Sequence, residues 1–511
     1  MNTTAAVSLR NITKTFGAVV ANKDVSLDIN HGEILSLLGE NGSGKTTLMN
    51  MLAGIYYPDE GKILIDGNEV NITSPKDAYE YGIGMVHQHF KLIDVLTATE
   101  NIILGLEGKL DIKAAKEKIV EICDKFGFDV DPDKKIYNMS VSEKQTVEIV
   151  KVLFRGAKIL ILDEPTAVLT PQETRKLFDV MRNMKADGKA IVIITHKLNE
   201  VQEISDKVAI LRGGEYIGTL LTKDTNPQEM TDMMVGRKVE LCIERPEPLD
   251  PKLKIKVEGL NIINEEGIQK IKDVSFDIYS GEILGIAGIS GCGQKELLEA
   301  IAGLQKVESG SVKYYDDDGN VTELTGMDPL KIKDLGVALS FVPEDRLGMG
   351  LVGNMDISDN MMLRTFREGN GLFTDRKTPH KTAEKIVKKL QVNTPGIDTP
   401  VRRLSGGNVQ KVLVGREIYN KPKVLMTAYV VRGLDINSSY TIYDLINSQK
   451  VAGTAVIFVG EDLDVLLQIS DKILVLCDGQ VSGIIDGRTA EKNQVGLMMT
   501  SLQGGNDGKE A

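Results

Sequence analysis

ILSLLGENGSGKTTLMNML, residues 34–52, decides how the rest of the chain is read. A five-residue apolar run leads into a glycine loop, and a helix follows with Leu48, Met49 and Leu52 on one face. This strand–loop–helix setting is the one in which G-x-x-x-x-G-K-[ST] acts as a phosphate cradle. Gly39, Gly42 and Gly44 let backbone N–H groups approach an anion at a helix N-terminus, where the helix dipole favours it. Glu40, Asn41, Ser43 and Thr47 belong to the same binding segment. Lys45 offers a point charge to the outer phosphates of a nucleotide, and the Thr46 hydroxyl offers a ligand to Mg²⁺.

The same segment occurs twice. DVSLDINHGEILSLLGENGSG at 24–44 returns as DVSFDIYSGEILGIAGISGCG at 273–293. MSVSEKQ at 139 returns as LSGGNVQ at 404, and ISDKVAIL at 204 as ISDKILVL at 469. An internal repeat this long indicates duplication, which must be recognised before any fold is assigned. The loop-to-signature spacing is wider in the second copy, which places an insertion there, part of it in the acidic YYDDDGN turn at 314–320. ERPEPLDPK at 244–252 carries three prolines and reads as a semi-rigid linker. The expected organisation is a first domain at 1–243, a linker at 244–252, a second domain at 253–505 and a flexible tail at 506–511.

Composition narrows the class. The 511 residues are 42% hydrophobic and carry 61 Lys and Arg against 73 Asp and Glu, a net charge of -12. That balance argues against nucleic acid as the main partner. The first residues lack the layout of a signal peptide, and no apolar run approaches the roughly 20 residues of a spanning helix. The four cysteines are scattered without a C-x-x-C, which suggests neither a disulfide framework nor a metal cluster. A cytoplasmic protein is expected.

Further motifs in the first half converge on one chemistry. KILILDEP at 158–165 is a buried-strand pattern closed by two carboxylates. A D-E pair ending an apolar strand is by itself ordinary. Beside a P-loop, Asp163 is placed to hold Mg²⁺ and Glu164 to act as general base on the attacking water. IVIITH at 191–196 ends in His196, which fits a γ-phosphate contact, and Gln88 in MVHQHF fits a bridge between metal and water. His87 and His89 read as structural or surface residues. Phe16 in KTFG fits either stacking on adenine or an ordinary core position.

In this order, GENGSGKTT, the Gln88 loop, a signature segment, DEP and TH resemble an ATP-binding cassette (ABC) ATPase, in duplicate and over nearly the whole chain. The resemblance implies an α/β fold of two tandem ABC-type nucleotide-binding domains. Each would have a P-loop α/β core, a β-subdomain and a helical subdomain, the first helical part at 97–157. Val147, Val150 and Phe154 form an apolar stripe there, with Glu148 and Lys151 expected outward. The resemblance also implies ATP as ligand and head-to-tail pairing, in which one domain's signature closes over the other's P-loop.

The repeat then serves as an internal ruler. Lys45 corresponds to Gln294, Thr46 to Lys295, Asp163 to Ala428, Glu164 to Tyr429, His196 to Glu461, Gln88 to Glu344 and Phe16 to Glu265. Lys295, one position late, reads as a solvated helix lysine, and Cys292 as a small residue tolerated in the loop or a redox-sensitive one. Hydrolysis at the second loop is not expected, while ATP binding there stays open. The signatures show the reverse: Ser405, Gly406, Gly407 and Asn408 form an intact LSGGN, whereas Val141 and Ser142 replace both glycines in the first half. The D-loop stretches also differ, Thr170 against Asp435. One composite site is therefore expected to be complete, built from the first P-loop and the second signature.

VPEDR at 342–346 together with LSGGN resembles the ATPase subunits of bacterial importers for simple sugars and nucleosides, and MVHQHFKLIDVLTATENI is most similar to the nucleoside type. This implies transmembrane permease partners, an external substrate-binding lipoprotein, no nucleic acid, and a peripheral position on the cytoplasmic face of the membrane. The alternatives are an importer of ribose or galactose, a ribosome-associated tandem cassette, or a non-catalytic ATP sensor. The short acidic linker and net charge oppose the ribosome-associated reading; Glu164 and His196 oppose the sensor.

Overall fold

The computed structural model describes residues 5–502 apart from 18, 89, 107–110, 168, 239–242, 265–266, 290, 342–346, 348–349, 367–373, 420–421, 433 and 461. His89, Glu265, VPEDR with Glu344, Glu461 and the 506–511 tail lie outside the described residues. The chain divides into two units, Met1–Glu240 and Leu241–Ala511.

In the first unit an antiparallel sheet has the order Val19–Asn30, Ala5–Phe16, Glu60–Ile65, Asn68–Val70. A six-stranded sheet has the order Glu215–Leu221, Lys207–Arg212, Ile34–Leu38, Ala190–Ile194, Ile159–Asp163, Ile83–Val86. Its strands run parallel except the antiparallel edge Glu215–Leu221. Parallel strands are covered on both faces and read as continuous apolar runs. ILILD does so because Ile159 and Ile161 enter the core shared with the antiparallel sheet, while Leu160 and Leu162 enter the core under the helix Pro171–Ala186.

The second unit repeats the plan strand for strand. Gln269–Tyr279, Leu253–Ile263, Ser309–Tyr315 and Val321–Glu323 form the antiparallel sheet. Gln480–Asp486, Lys472–Cys477, Ile283–Gly288, Ala455–Val459, Val424–Ala428 and Val337–Phe341 form the larger one. The YYDDDGN segment is the turn of the hairpin Ser309–Tyr315/Val321–Glu323, closed by Asp316 and tied down through Asp317 to Lys254 and Lys423.

Each unit also carries a helical portion. In the first, Ala98–Ile103, Ile112–Phe126 and Val141–Phe154 enclose a small core of Ile102, Ile119, Ile136, Val147 and Val150. Here one expectation fails: Glu148 points inward. It is 5% exposed, and its carboxylate accepts the backbone N–H of Lys91 at 2.7 Å. A buried carboxylate is tolerable when such a donor replaces water.

The proline-rich stretch at 244–252 falls within the second unit. Arg245 donates to the carbonyls of Leu467, Ser470 and Gly487 at 3.0, 2.7 and 3.0 Å, and Asn447 Nδ2 donates to Glu244 O. The start of this stretch is fastened by hydrogen bonds rather than left as a spacer.

Candidate functional site

In open parallel sheets the ligand side is the carboxyl end of the strands. In the first unit that edge gathers the residues singled out from the sequence. Gly39 follows Ile34–Leu38, Gln88 follows Ile83–Val86, Glu164 follows Asp163 at its strand end, and His196 follows Ala190–Ile194. The helix Lys45–Leu52 starts at Gly44, whose φ of 93° and close approach to Ala21 O and Asn22 leave no room for a Cβ.

Lys45 is buried, and its ammonium donates to Gly39 O at 2.7 Å and Glu40 O at 2.9 Å across the loop. Burial lowers its pKa, while Glu164, Asp163 and Glu40 work in the other direction. Thr46 is exposed at the start of the helix, Thr47 half-buried and Ser43 buried. Asn41 and Gly42 are exposed, and Glu40 is half-buried.

Glu164 is the hub. Gln88 Nε2 donates to its Oε2 at 2.8 Å, and His196 Nδ1 lies 3.1 Å from Oε1. The His196 contact lowers the Glu164 pKa against the effect of burial, so the carboxylate is held ionised. Burial raises Asp163 to about 6, with Glu164 reinforcing the shift and Lys45 opposing it. The backbone of Glu164 is left-handed, φ 48°, and its N–H donates to Ile194 O at 2.8 Å. Phe16 is 43% exposed, which removes the core alternative, and Tyr56 meets its ring edge-on at 5.1 Å.

These groups suit Mg²⁺, a hard cation that takes one or two carboxylates and leaves its other positions to phosphate oxygens and water. Asp163 would supply the carboxylate and Thr46 a hydroxyl. Gln88, donating through Nε2, keeps its Oε1 for a cation.

The second unit holds the same backbone with other chemistry. Gly291 and Gly293 repeat the positive φ values of Gly42 and Gly44. Gln294 is 5% exposed and its amide donates to Ile289 O at 3.3 Å, the contact that Lys45 makes to Glu40 O. Tyr429 takes the left-handed conformation of Glu164, φ 57°, with its N–H on Val459 O at 3.0 Å. Lys295 is half-exposed, 3.7 Å from Glu299 one turn on, a solvated helix lysine. Cys292 is partly buried against the apolar core.

The signature segments differ in how their helices begin. Ser140 caps Val141–Phe154 in a reciprocal box with Glu143, whose carboxylate accepts Ser140 N–H at 2.7 Å and pairs with Lys134 at 2.6 Å. A side-chain anion thus occupies the start of the first signature helix. Ser405 makes no such cap; its Oγ accepts instead from Asn408 Nδ2 at 2.8 Å. Gly407 has neither a left-handed φ nor any atom within 4 Å of where a Cβ would stand. The Thr170 and Asp435 difference is conservative, since each caps the helix that follows it.

A model of the ABC transporter family matches residues 22–167 and again 271–427. The chain belongs to this family. It is an ABC ATPase with two tandem cassettes, and its relatives match along nearly its whole length. The nucleoside import ATP-binding protein NupA of Lactococcus lactis is 41% identical over 98% of both chains. The guanosine import ATP-binding protein NupO of Bacillus subtilis is 39% identical over 96% of this chain and 97% of its own. The ribose import ATP-binding protein RbsA 2 of Streptomyces coelicolor is 37% identical over 98% and 97%.

Several residues of the first cassette escaped the motif reading. Asn22, fully buried, donates to Gly44 O at 3.2 Å beneath the P-loop, and Tyr56 backs Phe16. Gln145 and its counterpart Gln410 donate to Pro165 O and Val430 O, each fastening its signature helix to the segment after Asp163 or Ala428. Comparing the repeats marks Asn22 as special, since Ile271 replaces it; Tyr56 carries no sequence signal beyond its ring.

Proposed function

We propose that this chain is the ATP-hydrolysing, energy-coupling subunit of a nucleoside importer, bound to permease subunits at the cytoplasmic face of the cell membrane. A substrate-binding lipoprotein would deliver the cargo from outside. Hydrolysis occurs at one composite site per chain, in which the first P-loop is closed by Ser405, Gly406, Gly407 and Asn408. The observation that carries this pairing is Gly407. Among the described residues nothing lies within 4 Å of where a Cβ would stand, so the bare backbone leaves room for a phosphate to approach. In the first signature the helix start is already engaged by its own capping box, Glu143 taking the Ser140 N–H and Ser140 the Glu143 N–H, which suits a phosphate less well.

At that site Lys45 and the loop N–H groups hold the β- and γ-phosphates, and Phe16 stacks on adenine. Thr46, Asp163 and Gln88 would hold Mg²⁺, which would supply positive charge beside the phosphate oxygens. Glu164 accepts the proton of the water that attacks the γ-phosphorus, and the bond to ADP breaks with inversion there. His196 orients Glu164 and contacts the γ-phosphate. Nucleosides are preferred over ribose or galactose because NupA and NupO are nucleoside and guanosine import proteins, while RbsA 2 at 37% keeps sugars as the alternative.

Uptake of labelled nucleosides and pentoses in cells with and without the chain tests the cargo; pentose uptake alone would move the reading to sugars. Ser405→Arg tests the pairing. It should lower ATP turnover roughly 10²-fold while leaving the isolated fold intact, by analogy with removal of a transition-state donor. Normal turnover would show that the two halves do not pair.

A further inference from the structure

The duplicated fold contains its own control for the loop that carries Gln88. In the first cassette this loop is fastened to the helical portion at two residues. Asn101 grips Ile93, accepting its N–H at 2.8 Å and donating to its carbonyl at 3.1 Å. Lys91 is gripped from the signature helix Val141–Phe154: Lys151 Nζ donates to its carbonyl at 3.3 Å, and buried Glu148 accepts its N–H at 2.7 Å. In the second cassette Asn360 grips Val352 in the same way, at 2.9 and 3.2 Å, and Arg416 donates to Gly350 O at 2.8 Å in place of Lys151. Glu148 alone has no polar counterpart. Leu413, fully buried among apolar side chains, stands there instead.

The Asn grip and the cationic grip are therefore common to both cassettes and serve the fold. Among the described residues, the carboxylate grip is seen where a glutamine three residues upstream donates to Glu164. A buried carboxylate that bonds a main-chain N–H fixes one residue firmly, since moving that residue leaves the charge without its donor. We infer that Glu148 is a positioning residue for hydrolysis: by anchoring Lys91 to the signature helix it holds Gln88 against Glu164.

The inference rests on Glu164 being the general base, and the experiment separates the two. In the purified full chain, Glu164→Gln reports on the base itself. Glu148→Leu, which installs the residue the second cassette tolerates, should lower kcat about tenfold with KM for ATP nearly unchanged, the signature of lost alignment. Glu148→Gln, whose amide oxygen can still accept the Lys91 N–H, should recover most of that loss. In a Gln88→Ala background, Glu148→Leu should cost nothing further, because both changes remove the same alignment. A full additional loss in that background, or no rescue by glutamine, would overturn the role of Glu148 while leaving Glu164 as base. Normal turnover in Glu164→Gln would overturn the site reading on which it stands.

Discussion

Lys45 and Gln294 head equivalent helices and reach back across equivalent loops, Lys45 to Glu40 O at 2.9 Å and Gln294 to Ile289 O at 3.3 Å. Glu164 and Tyr429 both sit in the left-handed region at the ends of equivalent strands, with their N–H groups on equivalent carbonyls. The second cassette has kept the strained turn and the glycine loop, whose backbone costs of order 1–3 kcal/mol per strained residue remain, while exchanging the ionisable groups. Backbone architecture and chemistry are thus separable here. The two sites differ in charge, at Gln294, Ala428 and Tyr429, while Gly291 and Gly293 keep the loop's positive φ values.

The largest test of that contrast is at the paired turn residues. Glu164→Gln should cut ATP turnover by about 10²-fold or more, since it removes the proposed general base but leaves the turn and the Gln88 and His196 partners in place. Tyr429→Phe should leave turnover within about twofold, because no proton passes there. Steady-state ATPase of the two variants side by side decides it; equal losses would mean that both turns serve the fold alone.

A smaller effect separates Asp163 from Ala428. The folded protein holds the Asp163 pKa near 6, above its ordinary 3.8. The folded state therefore binds a proton more readily than the unfolded chain between those values, and stability falls as pH rises through that window and stays low above it. Asp163→Asn removes the charge, so it should stabilise the nucleotide-free protein by about 1–2 kcal/mol at pH 8, after discounting for partial solvent screening, and by little at pH 4. Ala428→Asp should do the reverse in the second cassette. Thermal unfolding with a chelator present at both pH values measures this, and an equal gain for Asp163→Asn at pH 4 would contradict it. The first cassette is thereby predicted to give up stability for its site.

The motifs that carry this contrast were legible because their chemistry is local. GENGSGKTT, DEP and LSGGN each place their groups within a few residues, and the repeat supplied a register for comparing them. Glu148 was illegible for the opposite reason. Its partner is a backbone N–H on Lys91, distant in sequence, so helical periodicity assigned it outward as it would any charged residue beside an apolar stripe. The Ser140–Glu143 box is readable as S-x-x-E before an apolar run, but that it differs from Ser405, which makes no such cap, shows only in the fold. The three prolines suggest a linker at 244–252, and sequence gives no sign that Arg245 within it binds three carbonyls of the second unit.

The smallest expected gain comes from the most tempting repair. Gln294→Lys restores the P-loop consensus, and the new ammonium could reach Ile289 O as the amide does. What it would not find is countercharge. Burial lowers the Lys45 pKa, and Glu164, Asp163 and Glu40 work against that shift; the equivalent positions hold Tyr429, Ala428 and Ile289. A buried lysine without such partners has its charged form disfavoured by desolvation, so it lowers its pKa or loosens the loop. Gln294→Lys should therefore add no ATP turnover and should lower the melting temperature, whereas the triple change with Ala428→Asp and Tyr429→Glu should recover part of that loss. A single variant that hydrolyses ATP at twice the parental rate would mean that the missing lysine, rather than the missing carboxylates, is what silences the second cassette.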